Sequence, residues 1–187
     1  MQGLLKVIEQ RRAYRGISDK PVGQEVQDRI MTAATYAPSC SNKQPWRFIV
    51  ATSQEARTKV QEGLLGGNYW AKNAPMFVVA VTKADLDCNL KEGREYALFD
   101  LGQAVMSLQY QAVHEGLRAH PMAGFKPSVL KEQFNIPDEF VVITVIAIAH
   151  PGDDENLSDK HKESEHSARS RVAQSQVIAQ DEWNFEE

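Results

Sequence analysis

Five arginines are the residues whose chemistry is easiest to read. Arg11, Arg12 and Arg15 fall within five residues near the start of the chain, and Arg169 and Arg171 stand near its end. A guanidinium is a fixed fork of N–H donors. Several of them converging on one dianion contribute charge-assisted hydrogen bonds worth about 1.5–3 kcal/mol each. Taken alone, either cluster reads as solvated surface, and only convergence makes it a site. A second candidate is the run 37–46, Ala-Pro-Ser-Cys-Ser-Asn-Lys-Gln-Pro-Trp. Proline fixes φ and removes a donor, while Ser and Asn divert backbone hydrogen bonds to their own side chains. The run is therefore expected to be an ordered loop with outward polar atoms, where binding residues commonly sit.

Other chemistries find no residues to carry them. No nucleophilic triad, paired-carboxylate site or zinc-ligand spacing emerges, and no glycine-rich loop of Walker or Rossmann type follows a strand. His161 and His166 lie in a charged run and read as solvated. His120 abuts the segment Pro-Met-Ala-Gly-Phe at 121–125, and reads as a loop histidine hydrogen-bonded to backbone. Cys40 and Cys88 are the only cysteines, too few for a disulfide scaffold, and read as free thiols.

Elements that could position these residues follow from periodicity. Leu4, Leu5 and Ile8 suggest a short helix over 4–12, and Val22, Val26, Ile30 and Ala33 or Ala34 form the stripe of a second that stops before Pro38. Aromatic and β-branched residues predict a strand over 46–52, a polar helix follows over 54–62, and 76–82 reads as a buried strand. The segment 94–117 carries Leu98, Leu101, Val105, Leu108 and Ala112 at 3,4,3,4 spacing, with Phe99, Gly102, Met106 and Val113 on neighbouring rows. That apolar arc is wide enough to need burial on two sides. The segment 121–125 is expected to be irregular, Lys126-Pro127 opens a short helix to about Phe134, and 140–149 is expected to be a central strand. From 153 to 180 apolar residues are sparse, so this tail is expected to be ordered only by lying on something else.

The chain has 187 residues, 42% hydrophobic and 25% charged, with a net charge of −4. A single domain of this size buries roughly 70% of its unfolded surface without staples. The acidic balance gives no reason to expect a nucleic-acid partner. Neither a basic–apolar leader nor an apolar run of membrane-spanning length is visible, which makes a cytoplasmic location without membrane association the expectation.

Four motifs taken together, Arg-Arg-Ala-Tyr-Arg at 11–15, the run 37–46 continuing into Arg47-Phe48, Pro-Met-Ala-Gly-Phe at 121–125 and Arg-Ser-Arg at 169–171, resemble in order and spacing the FMN-dependent nitroreductase family. The resemblance spans nearly the whole chain. It implies an α+β fold with a three-layer α/β/α arrangement around a mainly antiparallel sheet, one domain over 1–187, and an intertwined homodimer with two shared FMN sites. The helix at 94–117 would be the dimer core, and the tail 153–187 would wrap the partner subunit.

By the same resemblance, Arg11 would hold the FMN phosphate, with Arg12 and Ala13 beside the phosphate and ribityl chain and Arg15 near the pyrimidine edge. Arg169 and Arg171 would complete the phosphate cradle. Pro38, Ser39 and Cys40 would line the flavin of the other subunit, with Asn42 and Gln44 fixing the loop or touching the cofactor, and Asn68 at the pyrimidine edge. Pro121, Met122, Ala123 and Gly124 would lie along the isoalloxazine ring, a backbone N–H of Ala123 or Gly124 facing N5. Ala13 stands where many members have Ser, and Ala123 where some have Glu, so those positions are left with backbone contributions. The connection 83–93 is short, which implies an open pocket. The implied activity is hydride transfer from NADH or NADPH through FMN to a flat, electron-poor acceptor such as a nitroaromatic or quinone, with no protein acid or base and no metal required. Relatives acting on enones, halogenated aromatics or flavin, and a flavin-storage role with little turnover, are the alternatives.

Overall fold

In the computed structural model, residues 3–185 are described. Helix α1 (Lys6–Gln10) is shorter than its periodicity suggests, because Arg11 turns to an extended conformation (φ −62°, ψ 118°) and ends it. Helix α2 (Gln24–Thr35) buries Ile30 and Ala34 and stops ahead of Pro38. Strand β1 (Arg47–Ala51) leads into α3 (Gln54–Gly63), whose N-terminus is capped by Ser53: its Oγ accepts the Ala56 N–H at 3.1 Å. A 3-10 stretch (Gly66–Asn73) then delivers β2 (Met76–Thr82), in which all seven residues are buried, as their uninterrupted apolar run requires.

The long helix α4 (Tyr96–His114) follows, then β3 (Arg118–Met122), α5 (Pro127–Phe134), β4 (Val141–Ala149) and α6 (Asp159–His166). Pro121 and Met122, expected in an irregular segment, belong to a strand, and only 123–125 remains irregular. The sheet order is β1-β2-β4-β3, all neighbours antiparallel, so β3 is an edge, where a proline costs no ladder hydrogen bond if its nitrogen faces outward. Strand β4 is central, as expected.

Alternation along β2 builds the layers. Met76, Val78 and Ala80 point to one face, with Ile146 and Ile148 of β4, and meet Ile30 and Ala34 of α2 and Leu101, Ala104 and Leu108 of α4. Phe77, Val79 and Val81 point to the other face and meet Val60 of α3, Leu130 of α5 and Trp70. Helices cover both faces of the sheet, giving the α+β, three-layer arrangement.

Helix α4 is buried on the sheet side only. Leu98, Phe99 and Met106 are exposed on its far side, and a Cβ added at Gly102 would meet nothing within 4 Å. The tail divides into two parts. Helix α6 is seated on its own chain through Glu165, which is only 8% exposed, whereas Val172, Val177, Ile178 and Trp183 beyond it are exposed. Among the described residues no helix is long and apolar enough to cross a membrane.

Candidate active site

The two arginine clusters, 150 residues and more apart in sequence, meet. Arg169 donates to the carbonyls of Ile8 (3.2 Å), Glu9 (2.8 Å) and Arg11 (2.6 Å), satisfying acceptors that the end of α1 leaves open. The tail is thereby fastened to α1, and Arg11 is left beside Arg169 and Arg171. Partial burial holds the Arg11 guanidinium below its ordinary pKa, and the charges of Arg169 and Arg171 push the same way. Among the described residues no carboxylate forms an ion pair with any of the three. Arg12 is engaged differently. Its guanidinium donates to the carbonyls of Ser167 (2.7 Å) and Ser164 (3.3 Å) and lies 5.3 Å from the Tyr14 ring centroid, so it anchors the end of α6. Ala13 is exposed.

Glu165 organises the next residues. Its carboxylate accepts the backbone N–H of Arg15 at 2.5 Å and of Gly16 at 3.3 Å, and Arg118 Nη1 stands 3.6 Å away. Arg118 also donates to the Gly16 carbonyl, and its guanidinium covers the Tyr14 ring at 4.5 Å. Neither Arg118 nor Glu165 is singled out by the sequence. Glu165 lies in a run of polar residues whose pattern says nothing of burial.

His120 is buried on β3, with Nδ1 3.1 Å from the Tyr14 carbonyl and its ring 4.5 Å from that of Trp70. A carbonyl can only accept, so Nδ1 carries the hydrogen and Nε2 is left as an acceptor. Burial pushes its pKa down to about 4, and the charges of Arg15 and Arg11 oppose protonation further. The backbone-bonded reading of His120 holds, on a strand rather than in a loop. His161 departs from expectation: it is half-buried, stacked on Tyr69 with centroids 5.5 Å apart, and its Nδ1 is 3.1 Å from the Tyr69 hydroxyl. His166 is exposed, as read, yet 2.6 Å from Asp154.

Asn68 holds the turn that follows β3. Its Nδ2 donates to the Gly124 carbonyl at 2.8 Å, beside the Leu65 N–H at 2.9 Å. A Cβ on Gly124 would come within 2.9 Å of that Nδ2, so glycine permits this close approach. Ala123, next to it, is exposed.

The loop 37–46 is ordered but costly. Ser41, Asn42 and Gln44 take φ of 48°, 56° and 50°, left-handed values that disfavour residues with a Cβ by roughly 1–2 kcal/mol each. Several bonds hold them there. The Cys40 N–H donates to Asp100 Oδ2 at 2.7 Å, the Gln44 N–H to Ser39 Oγ at 2.9 Å, and Thr82 Oγ1 to the Pro45 carbonyl at 2.7 Å. A covalent tie adds to these and corrects the expectation of free thiols: Cys40 and Cys88 form a disulfide. The fold brings the loop and the 83–93 connection to the same end of α4, with Cα atoms 6.0 Å apart, a proximity that 48 residues of separation does not announce. Pro38, Ser39 and Cys40, with Arg94, Tyr96 and Phe99, border a cavity of about 420 Å³.

The loop meets α4 at Asp100, whereas Arg11 lies near Tyr110 of the same helix. At 1.5 Å of rise per residue those positions are roughly 15 Å apart. Within one chain, then, two separate walls stand at different levels of α4.

Similar proteins point the same way. The family model described as the nitroreductase family matches residues 8–68 and 62–150. An FMN reductase [NAD(P)H] of Bacillus subtilis strain 168 is 28% identical over 169 residues, covering 82% of this chain and 68% of the relative. A solved structure described as an oxidoreductase containing FMN superposes with a TM-score of 0.85 at 30% identity, covering 98% of this chain and 94% of that one. A nitroreductase family protein of Clostridium difficile 630 shares the fold, with a TM-score of 0.78 at 20% identity over 95% of this chain and 97% of its own. The chain belongs to the nitroreductase family.

Proposed function

We propose that this protein is an FMN-dependent oxidoreductase that takes hydride from NADH or NADPH and delivers it to a flat, electron-poor acceptor such as a nitroaromatic or quinone. The observation that carries this reading is the convergence of Arg11, Arg169 and Arg171 from the two ends of the chain, with no carboxylate among the described residues paired to any of them. Three cations drawn together repel one another, so the arrangement gains most when a dianion such as a phosphate monoester lies between them. The residues present fit that group.

Arg11, Arg169 and Arg171 hold the phosphate, and Arg15 and Asn68 serve the pyrimidine edge. The turn at exposed Ala123 and half-buried Gly124, steadied by Asn68, would present backbone N–H groups to the flavin ring. Hydride acceptance and donation are the chemistry that FMN supplies when bound, and the protein contributes orientation, charge and exclusion of competing reactions. His120, neutral and committed to Tyr14, supports the wall behind the arginines.

The functional unit in this reading is a homodimer in the cytoplasm. The exposed row Leu98, Phe99 and Met106 on α4, open at Gly102, packs on the same row of a second copy. Pro38, Ser39 and Cys40 of one protomer then line the flavin held by the arginines of the other, closing the roughly 15 Å gap between the walls. The exposed apolar residues beyond α6 cover the partner. A visible spectrum of the purified protein followed by anaerobic titration tests the reading: FMN absorbance is expected, bleached by NADH or NADPH and restored by a nitroaromatic or quinone. A protein that takes up no FMN refutes it, and bound FMN that neither donor bleaches points to storage instead.

A further inference from the structure

The disulfide Cys40–Cys88 has surroundings that a merely structural bridge does not need. Both half-cystines are only half-buried, Cys40 borders the cavity of about 420 Å³ beside α4, and Cys88 borders an adjoining one of about 340 Å³. Each has its backbone N–H held by a buried carboxylate: Cys40 by Asp100 Oδ2 at 2.7 Å, and Cys88 by Asp87 Oδ1 at 2.7 Å. A carboxylate oxygen of Asp87 and the two sulfurs all lie within 4.8 Å of one another, and the Ser41 hydroxyl is 3.9 Å from Cys88 Sγ. Asp87 is only 7% exposed, and among the described residues its Oδ2 has no hydrogen-bond partner.

We propose that Cys40–Cys88 is an exchangeable disulfide, a second reaction site that accepts two electrons from an external dithiol, with Asp87 as proton donor, and that opening it releases the loop 37–46. A thiolate of the dithiol attacks Cys88 Sγ. The bond between the two sulfurs breaks, and Cys40 leaves as a thiolate that takes a proton from Asp87. The second thiol of the reductant ionises and attacks the mixed disulfide, freeing Cys88 as a thiolate; the two protons lost by the dithiol are returned through solvent to Cys88 and to Asp87. In total the dithiol is oxidised to its own disulfide, and the cystine gains two electrons and two protons. Burial raises the Asp87 pKa and Asp100 adds to the rise, against the opposing pull of the Cys88 N–H and the Lys43 charge; the net direction is upward, toward the protonated acid that this role requires. The bridge is the covalent tie added to the hydrogen bonds that hold Ser41, Asn42 and Gln44 at positive φ, and its opening removes the constraint that hydrogen bonds alone cannot replace. The effect on cofactor binding rests on the flavin reading above, whereas the exchange chemistry does not.

The test uses the full chain, dithiothreitol as the probe dithiol, and alkylation with mass spectrometry to count thiols in native buffer. Two thiols per chain are expected to appear without denaturant, and amide exchange at 37–46 is expected to quicken both on reduction and in Cys88→Ser. Asp87→Asn reaches the same end point at least about tenfold more slowly at neutral pH, with a flattened pH profile. FMN then binds about tenfold more weakly to the reduced protein and to Cys88→Ser than to the oxidised protein. A bridge that opens only in denaturant, an Asp87→Asn rate equal to wild type, or unchanged exchange at 37–46 overturns the proposal. Failure of the oxidised protein to take up FMN refutes the flavin reading instead, and the thiol count and amide exchange still decide this one.

Discussion

Removing the titrating ring at His120 separates a buried neutral histidine from a solvated one. Its pKa falls from an ordinary 6.5 to about 4, chiefly through burial, so the folded state refuses a proton that the unfolded state accepts. Stability from this source is therefore fully present above pH 6.5 and is lost as pH falls toward 4. The full difference is about 3 kcal/mol, from about 1.36 kcal/mol per pKa unit, and the part lost between pH 7.5 and pH 5 is about 2 kcal/mol. His120→Gln keeps an N–H for the Tyr14 carbonyl but has nothing to titrate. Urea unfolding of both proteins at pH 7.5 and 5, at one fixed protomer concentration, reads the difference. The wild type is expected to lose about 2 kcal/mol more than the variant over that interval. Parallel losses refute the neutral, buried assignment, as does a wild type that gains stability on acidification relative to His120→Gln.

Two further perturbations probe the frame of the site. Glu165→Ala leaves the N–H groups of Arg15 and Gly16 and the Arg118 guanidinium without their shared acceptor, at a cost of about 2–4 kcal/mol, and limited proteolysis is expected to cut first near α6. Wild-type resistance there contradicts the anchoring role. Gly152→Ala forces a Cβ against the Ile17 carbonyl carbon and to within 2.6 Å of the Ser18 nitrogen, where backbone must move. Destabilisation above about 2 kcal/mol in a denaturant melt is expected, and a change under 0.5 kcal/mol contradicts the close approach.

What the sequence alone made legible depended on whether local pattern and tertiary need coincided. β2 and α5 lie where apolar content and the Lys126-Pro127 signal put them, because a strand buried on both faces has no polar positions to obscure it. β3 escaped because Arg118-Ala-His-Pro-Met mixes charge, a histidine and a proline, a composition tolerated only at an edge that sequence cannot identify. In the site, the arginines were legible by type, but their meeting depends on Arg169 bonding to the carbonyls around α1. The positive φ values at Ser41 and Gln44 had no glycine to announce them. The disulfide and the burial of Glu165 are likewise products of long-range packing.

The central claim is that guanidiniums from both ends of the chain hold the phosphate of FMN. Comparing the affinities of the oxidised protein for FMN and for riboflavin, by quenching of flavin fluorescence, tests it most directly. Losing two or more charge-assisted hydrogen bonds of about 1.5–3 kcal/mol each predicts that riboflavin binds at least about 100-fold more weakly. Equal affinities would contradict it.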